Sequence, residues 1–144
     1  MGVYTCNESM KDEAFFSSDG DILIVPQQGN IYVMTEFGPL EAEPTHIIVI
    51  PRGTKFSVSV DGETRGYYCE LYDGHFTIPD LGIVGTNGNA NPRDFEHPKA
   101  TYFDEEKEMR VVQKYLGKFF EYKIPHSIFD VVAWHGNYVP FKYD

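Results

Sequence analysis

The sequence predicts an all-β protein, a sandwich or barrel of short strands interrupted by one long Gly/Pro/Asn-rich loop. Three observations predict it. Aromatic residues make up 15% of the 144 positions, with Tyr 10 and Phe 11, and aromatic and β-branched side chains suit the pleated, half-buried surface of a sheet. Gly 13 and Pro 9 punctuate the chain at short intervals, as many short elements joined by turns require. No stretch holds a helical period; the nearest candidate, Asp104 to Met109, is mostly charged and reads as a solvated loop or a single turn. With 42% hydrophobic residues the chain can bury a sizeable core, so residues 1–144 are expected to form one domain.

Taken in order, Gly2 to Asn7 begins as if inside a strand. Ile22-Leu23-Ile24-Val25 is a continuous apolar run, closed by Pro26 and Gly29. Ile31, Val33 and Thr35 alternate with Tyr32, Met34 and Glu36, a half-buried strand with period two. Phe37-Gly38-Pro39 turns the chain. Ile47 to Ile50 is a further apolar run, turned by Pro51-Arg52-Gly53. Phe56, Val58 and Val60 then face one way. Asp61-Gly62 predicts a tight hairpin, since its turn needs positive φ, which Gly accepts and Asp tolerates. The return strand would place Tyr67, Cys69 and Leu71 on one side and Tyr68, Glu70 and Tyr72 on the other.

From Asp73 to Lys99, Pro79, Gly82, Gly85, Gly88, Pro92 and Pro98 break every period. Loops of this length inside a domain are uncommon and are often functional. Asn87, Asn89 and Asn91 read first as turn residues bonding their own backbone, with a binding or subunit-contact loop as the alternative. Arg93-Asp94 reads as a local ion pair that pins this loop. Met109 to Tyr115 and Lys118 to Tyr122 are two more strands. The tail from Val131 to Asp144 stays aromatic to its last residue, as an ordered region would.

Lys+Arg 12 against Asp+Glu 22 gives a net charge of −10, which repels phosphate backbones and anionic bilayers, so neither nucleic acid nor membrane is an expected partner. No apolar run is long enough to span a bilayer, and the N-terminus lacks the basic and apolar regions of an export signal. A cytoplasmic location follows as the expectation. Met1-Gly2 begins like a myristoylation site, but Cys6 stands where Ser or Thr is required. Cys6 and Cys69 have no metal or redox spacing and read as two buried thiols.

His46, His75, His97, His126 and His135 never fall at i, i+2 or i, i+4, so no local pair shares a metal. Separate strands would have to bring His46 and His75 together to build one. His135, in Trp134-His135-Gly136-Asn137, reads as a hydrogen-bonded core or interface group rather than an acid or base. Glu41 and Glu43 alternate like a carboxylate pair but read as solvated. No phosphate-binding glycine pattern, serine elbow or zinc spacing is present. No catalytic, cofactor-binding or metal-ligating residue is assigned within residues 1–144.

His46-Ile47-Ile48-Val49-Ile50-Pro51-Arg52-Gly53-Thr54-Lys55-Phe56 has the outline of the second cupin motif. That motif usually ends on a metal-binding histidine; here the position holds Phe56, which has no lone pair to donate. The fold this implies is a cupin-like β-sandwich or barrel with a degenerate metal motif.

Six further segments, in order, resemble the homogentisate 1,2-dioxygenase family. They are Ser18 to Gly29, Thr35-Glu36-Phe37-Gly38, Glu63-Thr64-Arg65-Gly66-Tyr67, Pro79-Asp80-Leu81-Gly82, Ala90-Asn91-Pro92-Arg93-Asp94-Phe95 and Val131 to Tyr138. The resemblance is to the middle and end of that family's large N-terminal domain. It implies an iron(II) dioxygenase that opens the ring of homogentisate to maleylacetoacetate in phenylalanine and tyrosine breakdown. It also implies assembly as trimers paired into hexamers. The family's iron ligands, two histidines and a glutamate, lie in its C-terminal domain, so Fe(II) would be held outside these residues. Both ends look internal to the family's pattern. Residues 1–144 are therefore expected to be a partial, non-metal domain, inactive alone. Its partners would be the rest of the polypeptide and further subunits, and its role scaffolding and subunit contact. The alternative is a stand-alone, metal-free cupin module that binds a small molecule in the barrel mouth.

Overall fold

Strand-forming stretches alternate with Gly, Pro and Asp turns; the computed structural model describes residues 1–88, 90–130, 136 and 138–144, and among these it resolves twelve strands. The strands are β1 (Gly2–Cys6), β2 (Glu13–Ser17), β3 (Asp21–Gln28), β4 (Ile31–Thr35), β5 (Gly38–Ala42), β6 (Ile47–Ile50), β7 (Phe56–Val60), β8 (Thr64–Leu71), β9 (Phe95–Glu96), β10 (Met109–Tyr115), β11 (Lys118–Ile124) and β12 (Phe141–Tyr143). They form two six-stranded sheets, ordered β1-β8-β3-β6-β12-β9 and β11-β10-β2-β7-β4-β5. β2 and β10 run parallel, whereas β10–β11 and β4–β5 are antiparallel hairpins. The all-β sandwich expected from the sequence is the observed architecture.

Alternation places the core between the sheets. Ile22 and Ile24 of β3 and Ile48 and Ile50 of β6 meet Ile31 and Val33 of β4 and Phe56 of β7. A second cluster lies around Ala14, Met109 and Val111, covered by Ile128 and Phe129. Ala14 points away from its neighbour Phe15, as period two demands, so this cluster packs on the outer face of the second sheet.

Asp61-Gly62 does not close a hairpin. β7 and β8 belong to different sheets, so the link crosses from one layer to the other, and neither residue has positive φ. A crossing link needs no mirror-image turn. A two-residue turn with positive φ at both positions lies instead at Leu116 (φ 50) and Gly117 (φ 69), where Tyr115 pairs with Lys118. Asp19 holds that turn, its carboxylate accepting from the Leu116 N–H at 2.6 Å and the Gly117 N–H at 2.9 Å.

Pro26 does not end its strand either. β3 continues to Gln28, and the ladder to β8 shifts register between Pro26 and Gln28, an irregularity of the kind that admits proline in a sheet. The long loop is partly built. It contains 3₁₀ turns at Gly82–Asn87 and Pro92–Asp94. β9 then pairs with β12, which also pairs with β6. Arg93 and Asp94 lie 3.6 Å apart, but the Arg93 side chain is 84% exposed. The firmer contact is from the Asn91 N–H to Asp94 Oδ2 at 2.7 Å. Asn89 and residues 131–135 and 137 fall outside the described residues, so the readings of Asn89 and His135 are not tested by the fold.

Candidate functional site

The described histidines are committed to separate partners. His46 Nδ1 accepts from the Glu43 N–H at 3.2 Å, and its Nε2 lies 3.1 Å from Asp144. His97 Nδ1 is 3.4 Å from the Pro140 carbonyl. His126 lies 2.8 Å from Asp130. His75 Nδ1 sits 3.2 Å from both oxygens of Asp21. Among the described residues no three His, Cys, Asp or Glu side chains converge as a metal site would require. Phe56 is 5% exposed in the core and meets Phe15 edge-on, with ring centroids 5.7 Å apart. Glu41 and Glu43 are exposed, as expected. Among the described residues no helix is long and apolar enough to cross a membrane.

Asp21 is the centre of the most connected polar cluster. It opens β3, where the first apolar run begins, and its side chain is 0% exposed. Its carboxylate accepts from the Arg52 N–H and the Phe76 N–H, both at 3.0 Å, and from the Tyr138 hydroxyl. The His75 and Tyr138 rings are in contact, with centroids 4.5 Å apart and planes tilted by 59°. Three segments far apart in sequence, at Arg52, His75-Phe76 and Tyr138, thus meet on one carboxylate. Burial alone would raise the Asp21 pKa, but the donors from Tyr138, Arg52, Phe76 and His75 outweigh it and hold the group below the usual carboxylate range. Burial, and then donation to Asp21, push the Tyr138 phenol well above its ordinary value. The arrangement supports ionised Asp21 with His75 Nδ1–H facing it, a structural tie with one imidazole nitrogen left over. The sequence signal for Asp21 was faint: a carboxylate placed immediately before a central apolar run.

A cavity of about 430 Å3 opens between the sheets at the end where β1 and β11 are the outermost strands. Tyr4 and Cys6 of β1 and Tyr68 and Glu70 of β8 line one side. Phe15, Phe56, Lys114 and Phe119 line the other. Glu70 and Lys114 pair across the gap, with side chains 10% and 16% exposed. Ser17 and Tyr72 also donate to Glu70, at 3.2 and 2.9 Å. Burial disfavours both charges, but the mutual hydrogen bond prevails: Glu70 lies below and Lys114 above its usual value. Cys6 Sγ is 2.8 Å from Thr64 Oγ1 on the inner face. Cys69 lies on the opposite face of β8, and both cysteines are half-buried rather than buried.

The whole chain, residues 1–144, matches the family described as homogentisate 1,2-dioxygenase N-terminal. The chain belongs to that family. It is 56% identical over 143 residues to homogentisate 1,2-dioxygenase of Drosophila melanogaster, covering 99% of this chain and 33% of the relative. It is 55% identical over 141 residues to the homogentisate 1,2-dioxygenase of Caenorhabditis elegans, covering 98% of this chain and 32% of that one. The chain spans about a third of the length of these family members. A solved structure of a DUF861 family protein from Thermotoga maritima is 20% identical, with a TM-score of 0.40, over 48% of this chain and 76% of that one. Such a score carries no argument, and the fold rests on the two sheets themselves.

Proposed function

We propose that these residues form the non-metal N-terminal domain of a homogentisate 1,2-dioxygenase, the iron(II) enzyme that opens the homogentisate ring to maleylacetoacetate in tyrosine and phenylalanine breakdown. The observation that carries this reading is the family match over the full 144 residues, joined to 56% identity with a relative of that name. The described residues do not fit an iron centre. The described histidines hold separate partners, and Phe56 stands at the position where the motif calls for a ligand. The iron ligands are therefore assigned to polypeptide outside this chain. Within the cytoplasmic enzyme, a hexamer of paired trimers, this domain supports the iron domain and makes subunit contacts. The polar cluster at Asp21 and the exposed strand β11 suit a scaffold better than a reaction centre.

The test measures iron content and oxygen uptake with homogentisate for the 144-residue chain and for the full-length gene product. The expected result is stoichiometric iron and turnover in the full-length protein and neither in the chain alone. Stoichiometric iron with homogentisate-dependent oxygen uptake in the 144-residue chain overturns the assignment of the site, and an inactive iron-loaded full-length protein overturns the assignment of function.

A further inference from the structure

We propose that the outer face of the first sheet, where β1, β8 and β3 lie side by side, is the docking surface for the polypeptide that follows Asp144 in full-length members of the family. The inference deepens the reading of these residues as a supporting domain, and it rests on that reading.

The pattern of β3 comes first. Ile22 and Ile24 point into the sandwich and are buried in its core. Leu23 and Val25 alternate with them and so point outward, yet they are apolar too. A sheet with one wet face alternates apolar and polar residues, whereas a strand covered on both faces reads as a continuous apolar run. The neighbouring strands agree. Their ladders set Leu23 opposite Cys69, and Val25 opposite Tyr67, which in turn faces Val3. Leu71 is the next residue of β8 on this side. None of these six positions carries a charge, in a chain where 24% of residues are charged. Neither core cluster includes any of them. Val3 is 74% and Tyr67 49% exposed, and the other four are half-buried. A contiguous apolar surface of this kind marks an interface. The second sheet shows what a covered outer face looks like, with Ile128 and Phe129 packed against Ala14 and Val111.

The path of the chain then chooses the occupant. The family is described as N-terminal, and these residues span about a third of the relatives' length, so the full-length protein continues beyond Asp144. β12 ends at Tyr143, inside this same sheet. Tyr143 pairs with Ile47, the outward neighbour of core residue Ile48, so it too faces outward. β8 lies three strand spacings from β12, about 14 Å, a gap that about five extended residues cross. The continuing polypeptide thus leaves the domain beside the face that lacks a cover. A second copy of the chain has no such tether to it.

The test places the photo-crosslinking residue p-benzoylphenylalanine at position 67 of the full-length protein and maps the linked peptides by mass spectrometry. The expected product is a link, within one subunit, to polypeptide beyond Asp144. Links to residues 1–144, to polypeptide ahead of them or to a second subunit overturn the proposal, as does the absence of any link. Cys69 supplies a second measurement that needs no variant. Its alkylation under native conditions should run about ten-fold slower in the full-length protein than in the 144-residue chain, because a covered thiol reacts only through local opening. Equal rates overturn the proposal, and so does a Cys69 that is already unreactive in the short chain. Turnover of homogentisate by the unmodified full-length protein separates the two claims. A link beyond Asp144 in a protein without turnover supports the docking face and overturns the dioxygenase reading.

Discussion

The ring of Tyr4 occupies the space that a side chain at Gly66 would need. β1 and β8 pair Tyr4 with Gly66 and, two residues on, Gly2 with Tyr68. A Cβ at Gly66 would lie 2.8 Å from Tyr4 Cε1 and Oη, and one at Gly2 would lie 2.7 Å from Tyr68 Cε1. Each ring thus lies across the glycine opposite it, a cross-strand arrangement that shields glycine backbone and supports pairing at an edge. The same pairs set the two tyrosines on the wall of the cavity.

The two glycines should respond differently to alanine. At Gly66 the added carbon also comes 2.2 Å from the Val25 carbonyl oxygen, which belongs to the neighbouring strand β3 and has little room to move. Gly66→Ala is expected to cost about 3 kcal/mol, the upper end for overpacking. At Gly2 the three nearest atoms all belong to the Tyr68 side chain, which is 38% exposed and can swing toward solvent. Gly2→Ala should cost about 1 kcal/mol or less. Urea melts of both variants check this, and equal costs would count against the packing described.

Asp21→Asn keeps the shape of the hub and removes its charge. The new amide would present donors toward groups that already donate, including the Arg52 and Phe76 N–H groups. The expected loss is about 3 kcal/mol at pH 7, the scale for breaking a buried, hydrogen-bonded ionic group. The pH dependence has a definite sign. The folded-state pKa lies below the ordinary value of 3.8. The contribution of Asp21 is then complete above that value and falls away as pH drops through the folded pKa. Melts at pH 7, 5 and 3 should show wild type and Asp21→Asn converging only at the acid end. A constant gap would refute the linkage.

β4 alternates cleanly and was legible in the sequence for that reason, and β7, β10 and β11 begin at Phe56, Met109 and Lys118 as expected. Layer assignment was not legible. Asp61-Gly62 carries the composition of a hairpin turn, yet whether β7 pairs with β8 depends on which sheet each enters, a tertiary choice that local turn chemistry does not encode. β2 was hidden for a related reason. Glu13-Ala14-Phe15-Phe16-Ser17 buries Ala14 in the outer cluster and sends Phe15 into the sandwich, so apolar residues on both faces blur the alternation. The cavity was beyond reach because its walls come from residues as distant as Tyr4 and Phe119.

Lys114 offers a test of the polar bridge between the layers. Besides its contact with Glu70, its Nζ lies 5.3 Å from the centroid of the Tyr72 ring. Lys114→Met keeps most of the stem and leaves Glu70, 10% exposed, without its cation. The expected cost is about 2 kcal/mol, in the range for hydrogen bonds to charged groups. Adding Glu70→Gln should recover part of that loss, giving a coupling of about 1 kcal/mol in a double-mutant cycle. Strict additivity of the two changes would mean that the bridge carries no stability.

The last strand of the second sheet should govern self-association. β11 is an edge, paired on one side only, and Phe119, Phe120 and Tyr122 are 68%, 50% and 41% exposed. Alternation puts Phe119 on the cavity side, 6.4 Å from Phe15, and Phe120 and Tyr122 on the other. An edge strand with unpaired backbone groups and exposed rings is a template for another chain. Each square ångström of apolar surface covered there is worth roughly 25 cal/mol. The isolated chain is therefore expected to associate as its concentration rises. Phe120→Lys should shift sedimentation toward monomer while moving the melting temperature little, because the ring it replaces is half exposed. A monomer whose sharp melt does not depend on concentration would show that this edge needs no covering partner.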